Sequence, residues 1–219
     1  MTAADDDRSV ERMMSRCGVI PVLTLDDAGS AGPLANALST GGIGVAEVTL
    51  RTDAGLAAIR TMRTEVPELL VGAGTVCSVA DAHAAIDAGA QFLVSPGFSP
   101  DIVAAGRAAG TFVLPGVATA TELMTAREAG VRTVKVFPAE AIGGTRLLAA
   151  FSAVFPDVSF VPTGGVTLGN AAEYLGLPAV LAVGGSWLAD RAAIERADWA
   201  EIAARSAAAR TLVEDARCN

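Results

Sequence analysis

Lys135 is the only lysine among the 16 basic Lys and Arg residues of this chain. It lies in R-T-V-K-V-F-P-A-E, residues 132–140, between valines, where an unused ammonium ion is expensive to bury. An ordinary lysine is neutral in only about one molecule in a few thousand at pH 7. Apolar surroundings and a neighbouring cation, such as Arg51, favour the neutral amine, which can then attack a ketone and form an imine. A second stretch, E-V-T-L-R at 47–51, offers the other groups this chemistry uses. Strand alternation puts Glu47, Thr49 and Arg51 on one face, as it does Lys135 and Phe137 on theirs. If both faces line one cavity, an amine, a carboxylate and a guanidinium converge as nucleophile, general acid/base and clamp for a substrate carboxylate. The same residue types also build structural ion pairs, and both readings stand at this level.

Eight repeats of one pattern would position these groups: a short β-branched run, a polar or glycine turn, then an alanine-rich amphipathic stretch. The expected strands are Val19–Leu25, Val45–Arg51, Leu69–Thr75, Gln91–Ser95, Thr111–Pro115, Thr133–Phe137, Ser159–Thr163 and Val180–Val183. Helices are expected over stretches such as Ala54–Val66, Ser78–Ala88 and Ala120–Ala129, and Gly89, Gly110 and Gly130 stand where helices stop. No linker or composition break interrupts the series, so a single (β/α)8 barrel domain over residues 1–219 is expected, with an extra helix before Gly18 closing its lower end. An open doubly wound sheet is the structural alternative, yet G-A-G-T-V-C at Gly72 lacks the third glycine of a dinucleotide fingerprint and no phosphate-binding G-x-x-x-x-G-K occurs.

In such barrels the chemistry sits at the carboxyl ends of the strands. Those ends read E-V-T-L-R, G-A-G-T, S-P-G, L-P-G, K-V-F-P, P-T-G-G and V-G-G-S from the second to the eighth strand. Gly164, Gly165, Gly184, Gly185 and Ser186 fall after strands seven and eight, a frequent phosphate site built from backbone N–H groups and a hydroxyl.

Composition narrows the partners. A formal charge of −8 and a pI near 4.6 disfavour nucleic acid and anionic lipid, leaving small molecules or other chains. No apolar run reaches the length of a membrane span, and the acidic start M-T-A-A-D-D-D-R is unlike a secretory signal, so a cytoplasmic protein is expected. The three cysteines, Cys17, Cys77 and Cys218, have no metal or disulfide spacing. The single histidine, His83, falls mid-helix and is expected to be a surface or half-buried residue; without a His or carboxylate cluster, no metal cofactor is expected. Trp187 and Trp199 are read as packing residues.

E-V-T-L-R-T (47–52), V-G-A-G-T-V (71–76), Q-F-L-V-S-P-G (91–97), K-V-F-P-A-E (135–140), P-T-G-G (162–165) and G-G-S-W-L (184–188) together resemble 2-keto-3-deoxy-6-phosphogluconate (KDPG) aldolase, a family that also cleaves 4-hydroxy-2-oxoglutarate. The resemblance runs from about Gly18 to Leu188 and departs at Val136, where the family often has Phe. It implies a class I carbon–carbon lyase with no cofactor beyond a covalent Schiff base on Lys135, and Glu47 as general acid/base. It implies that Arg51 and Thr75 hold the pyruvyl carboxylate, that Pro96 and Phe137 wall the pyruvyl pocket, and that Thr163 reads the C4 hydroxyl. Gly164, Gly165, Gly184, Gly185 and Ser186 would hold the phosphate. A homotrimer and a place in the Entner–Doudoroff pathway are further implications. From the residues alone, a phosphosugar isomerase using Glu47 as enediol base and a non-catalytic anion-binding barrel are the competing classes.

Overall fold

The computed structural model describes residues 3–218. Helix α1 (Ala3–Cys17) precedes strand β1 (Val19–Leu23), and Met14 is fully buried beneath the sheet. Strand and helix then alternate: α2 (Ala31–Thr40), β2 (Val45–Thr49), α3 (Gly55–Glu65), β3 (Leu70–Gly74), α4 (Val79–Asp87), β4 (Phe92–Val94) and α5 (Pro100–Ala108). They continue as β5 (Phe112–Leu114), β6 (Gly116–Val117), α6 (Ala120–Glu128), β7 (Thr133–Val136), α7 (Gly144–Val154), β8 (Ser159–Pro162) and α8 (Ala171–Leu175). The chain ends with β9 (Val183–Gly185), α9 (Arg191–Glu195) and α10 (Trp199–Cys218).

Every strand pair among the described residues is parallel. One sheet runs in the order β5-β4-β3-β2-β1-β9 and the other β6-β7-β8. Single parallel bridges, Phe160–Val180 and Thr163–Gly184, join β8 to the segment that ends in β9. Only Pro115 separates β5 from β6; lacking an N–H, it interrupts the ladder between them. Parallel strands covered by helices are buried on both faces, which is why β1, β2 and β3 read as near-continuous apolar runs rather than alternating ones.

The helices start and stop where local chemistry dictates. Ser78 accepts from the Asp81 N–H at the start of α4, and Ser99, followed by Pro100, caps α5. Thr119 and Glu122 form a reciprocal capping box on α6, whose backbone N–H donors, Ala118 foremost, hold the Glu122 carboxyl below its ordinary pKa. Gly89, Gly110 and Gly130 have φ between +68° and +91°, the left-handed turn that ends a helix without a Cβ clash. The last helix packs closely on α2: a Cβ on Gly41 would stand 2.3 Å from Ser206 Cβ and 2.6 Å from the Ala203 carbonyl oxygen. Packing is thus a structural role for α10.

Most strands are a residue or two shorter than the sequence reading, and three differences bear on the site. Strand two stops at Thr49, so Arg51 leaves the strand face and sits exposed in the following turn. The eighth strand is Val183–Gly185 instead of Val180–Val183: Val180 makes only a single bridge, and Gly184 and Gly185 therefore lie in the strand itself. The fifth expected strand, Thr111–Pro115, is Phe112–Leu114, and a further short strand that the sequence reading did not place, Gly116–Val117, follows Pro115.

Candidate active site

Glu47 and Lys135 lie 88 residues apart in sequence, and the fold brings them into contact. Lys135 Nζ donates to Glu47 Oε1 at 3.3 Å, and the two residues are only 6% and 3% exposed. Register explains the meeting: Glu47 is paired with Val22 and Gly72, and Lys135 with Gly116 and Val161. Two of these neighbours are glycines, and small residues there leave room for long side chains. Gly74, two positions beyond Gly72, is a specific requirement. A Cβ there would fall 2.2 Å from Glu47 Oε1 and 2.6 Å from Glu47 Cγ, so a side chain would evict the carboxylate.

A buried ion pair contributes little net stability, because desolvating both charges offsets most of their attraction. Chemically it is informative. A base within hydrogen-bond reach can take the ammonium proton and leave a neutral amine facing an apolar wall. Phe137 supplies part of that wall, with its ring centroid 5.5 Å from Lys135 Nζ, and Gly164 lies against Phe137 and Pro138. Arg51, in the turn after β2, makes no ion pair or hydrogen bond among the described residues, and the ion-pair partner of Lys135 is Glu47.

The other strand-end residues take distinct positions. Thr75 follows β3 with φ +60°, a conformation unfavourable for a β-branched residue and found chiefly where a site requires it. Thr49 donates to the Leu23 carbonyl at 2.9 Å and contacts the Thr24 hydroxyl at 3.1 Å, tying β2 to β1 just before the Arg51 turn. Pro96 is exposed, and its carbonyl oxygen would be 2.2 Å from a Cβ on Gly116, so the turn after β4 rests on that glycine. Thr163 is buried and packs on Gly184, where a Cβ would come within 2.2 Å of its hydroxyl. Gly164 and Gly165 have φ +95° and +82°, and among the described residues the N–H groups of Gly165 and Val166 have no protein acceptor. Ser186 follows β9 and is exposed. Arg51, Thr75, Pro96 and Ser186 all occupy strand-end turns, and none of them hydrogen-bonds to Lys135 or Glu47. His83 is exposed on α4, as its position in the sequence suggests, and Trp187 packs its ring against Gly185.

Two contributors were not singled out from sequence. Glu140 belongs to the K-V-F-P-A-E motif, and its carboxylate accepts from the hydroxyl of Tyr174 on α8. The Asn170 side chain donates to the Gly165 carbonyl at 3.1 Å. An acid just after the lysine strand was the only available signal for Glu140; nothing local linked it to Tyr174. Among the described residues no three His, Cys, Asp or Glu side chains gather as a metal site would require. No helix among them is long and apolar enough to cross a membrane.

A cavity of about 250 Å³ lined by residues such as Glu11, Arg107 and Thr133 lies at the opposite ends of the strands, below Lys135. The strand-end cluster, by contrast, carries the amine, the acid and the open amides.

Comparison with known proteins agrees with this geometry. Residues 10–205 match the family described as KDPG and KHG aldolase. A 2-dehydro-3-deoxy-phosphogluconate aldolase of Treponema pallidum is 48% identical over 193 residues, covering 88% of this chain and 92% of that protein. A KHG/KDPG aldolase of Escherichia coli K12 is 41% identical over 209 residues, covering 95% and 97%. The crystal structure of KDPG aldolase from Legionella pneumophila, with pyruvate captured at low pH as a covalent carbinolamine intermediate, superposes with a TM-score of 0.88 at 41% identity, covering 90% of this chain and 96% of that one. A buried amine with a carboxylate in contact, set in a parallel α/β fold, is what an aldolase working through a carbinolamine needs, and with these matches the chain belongs to the KDPG and KHG aldolase family.

Proposed function

We propose that the chain is a class I aldolase that cleaves KDPG to pyruvate and glyceraldehyde 3-phosphate, and 4-hydroxy-2-oxoglutarate to pyruvate and glyoxylate. The observation that carries this reading is the buried contact of 3.3 Å between Lys135 Nζ and Glu47 Oε1. Glu47 takes the ammonium proton, and the neutral amine adds to the C2 ketone to give a carbinolamine. Loss of water, with Glu47 returning a proton, yields the protonated imine. That cation withdraws electrons while Glu47, directly or through a water, removes the C4 hydroxyl proton. The C3–C4 bond breaks, the aldehyde leaves, and an enamine of pyruvate remains. Protonation of its carbon and hydrolysis of the imine restore Lys135.

In this reading Arg51, unpaired at the mouth, and Thr75 hold the pyruvyl carboxylate; a guanidinium matches a carboxylate in two parallel hydrogen bonds. Pro96 and Phe137 wall the pyruvyl pocket, and Thr163 reads the C4 hydroxyl. Gly164, Gly165, Gly184, Gly185 and Ser186 receive the phosphate. Open amides at Gly165 and Val166 support that assignment. Since β9 includes Gly184 and Gly185, their part is to let Thr163 and the ligand approach the backbone closely, while Ser186 offers the hydroxyl. The proposal extends to a single domain over residues 1–219, in which the two sheets close through the Pro115 joint and the β8–β9 bridges into one (β/α)8 barrel with α1 across its lower end. It also extends to a cytoplasmic homotrimer in the Entner–Doudoroff pathway, supported by family resemblance.

Incubation with pyruvate and borohydride, followed by mass spectrometry, tests the chemistry. One reduced pyruvyl adduct mapping to Lys135 is expected, and the single lysine makes the mapping unambiguous. A folded protein that gains no adduct would rule out the imine route. A second prediction concerns the space for Glu47. Gly74→Ala should lower kcat by at least about tenfold by moving the carboxylate away from Lys135, and overpacking should cost about 1–3 kcal/mol in a thermal melt. Normal turnover in a folded Gly74→Ala protein would mean that the carboxylate need not stand there.

A further inference from the structure

The mechanism leaves one strand-end carboxylate unused. Glu140 lies in the turn after the lysine strand, beyond Phe137, Pro138 and Ala139, and its backbone N–H donates to the Gly164 carbonyl at 3.0 Å. Its side chain lies over the next residue of the same turn: a Cβ on Gly165 would meet Glu140 Cβ at 2.5 Å. From the far side Tyr174, the only tyrosine in the chain and 1% exposed, donates its hydroxyl to Glu140 Oε1. Gly144 closes the arrangement, since a Cβ there would stand 3.3 Å from the Tyr174 hydroxyl and 3.4 Å from Glu140 Oε1.

A carboxylate beside a turn that receives a phosphate repels the ligand. Its presence there calls for a compensating role, and the contacts supply one. The three heavy atoms nearest a Cβ on Gly165 all belong to Glu140, whose carboxylate is in turn held by Tyr174. Burial first, and the Glu140 carboxylate second, push the pKa of the Tyr174 hydroxyl up, so it remains a hydrogen-bond donor throughout the neutral range. The Asn170 side chain holds the Gly165 carbonyl as Glu140 N–H holds that of Gly164. With both carbonyls held, the intervening amides keep a fixed direction.

Building on the assignment of this turn to the phosphate, we propose that Tyr174 and Glu140 form a strut that sets the Gly164–Gly165 turn and thereby the preference for phosphorylated over unphosphorylated substrate. Neither residue touches the reacting atoms; both are positioning residues. Their effect falls on the half of the substrate remote from Lys135.

The test is steady-state kinetics of Tyr174→Phe on KDPG and on 4-hydroxy-2-oxoglutarate. The ring and its packing are kept, and only the donor is lost. KM for KDPG should rise about tenfold, the scale of one charge-assisted hydrogen bond, with kcat within about twofold and KM for the unphosphorylated substrate unchanged. Glu140→Asp, whose shorter side chain falls short of Tyr174, should reproduce the same split and serves if Tyr174→Phe does not fold. Equal KM increases on both substrates would make the pair a general structural staple, and an unchanged KM for KDPG would remove it from binding altogether; either overturns the proposal. Pyruvate trapping on the unaltered enzyme separates the outcomes. Loss of the adduct there defeats the aldolase reading, whereas an intact adduct with an unchanged substrate ratio defeats only the strut.

Discussion

Lys135→Arg is expected to abolish cleavage, with kcat falling by at least about 10⁴-fold, because a guanidinium does not deprotonate in a protein and forms no imine. The variant isolates chemistry from folding. Its positive charge remains beside Glu47, so the buried carboxylate keeps a partner; leaving such a charge unpaired costs roughly 3–5 kcal/mol. Lys135→Met makes the contrast. It also lacks the nucleophile, but it strands Glu47 at 3% exposure and should melt at lower temperature than Lys135→Arg. Aldol cleavage measured by coupled pyruvate detection, beside thermal melts of both variants, checks each part. Measurable turnover near the normal rate in Lys135→Arg would eliminate the Schiff-base assignment, since no other lysine exists to replace it.

Glu47→Gln should keep the fold and still accept pyruvate, yet turn over at least about a hundredfold more slowly. The amide matches the carboxylate in shape and can accept a hydrogen bond from Lys135, while it cannot take a proton. Three steps in the cycle require that transfer: release of the amine, loss of water from the carbinolamine, and removal of the C4 hydroxyl proton. Because the carboxylate stands 3.3 Å from the nucleophile, one group can serve all three. Borohydride trapping of pyruvate should therefore slow in parallel with kcat, and comparing the two rates is the decisive measurement. If kcat stays within a few fold of normal, Glu47 is only a counter-ion for Lys135.

Much of the architecture was legible because strand and helix patterns are local. The apolar runs around Val45 and Leu70, the caps Ser78, Ser99 and Thr119, and the glycines at 89, 110 and 130 each act within a few residues, and each element appears where its pattern lies. The eighth strand was misplaced for the converse reason. L-P-A-V-L-A-V-G-G is apolar throughout, so no periodicity marks which residues pair. Pairing with β1 decides it, matching Val19, Ile20 and Pro21 with Val183, Gly184 and Gly185.

Arg51 illustrates the limit of alternation. Two-residue periodicity carries a side chain only as far as the strand continues, and β2 stops at Thr49, where Thr49 and Thr52 tie the turn to β1 through the Leu23 and Leu25 carbonyls. The sequence was therefore right about the residue types at the strand end, while the length of the shared face was set by where strand pairing stops.

By itself the sequence determined the parallel α/β class, the order of its elements, a single lysine set in an apolar strand, and the motifs shared with the KDPG and KHG aldolase family. Tertiary structure decided the pairings across the fold: Glu47 against Lys135 over 88 residues, and Tyr174 against Glu140 over 34. Such contacts depend on strand register and on glycines that leave space, Gly74 for Glu47 and Gly165 for Glu140. Local propensity carries no record of either, because both arise only when distant segments of the chain are brought side by side.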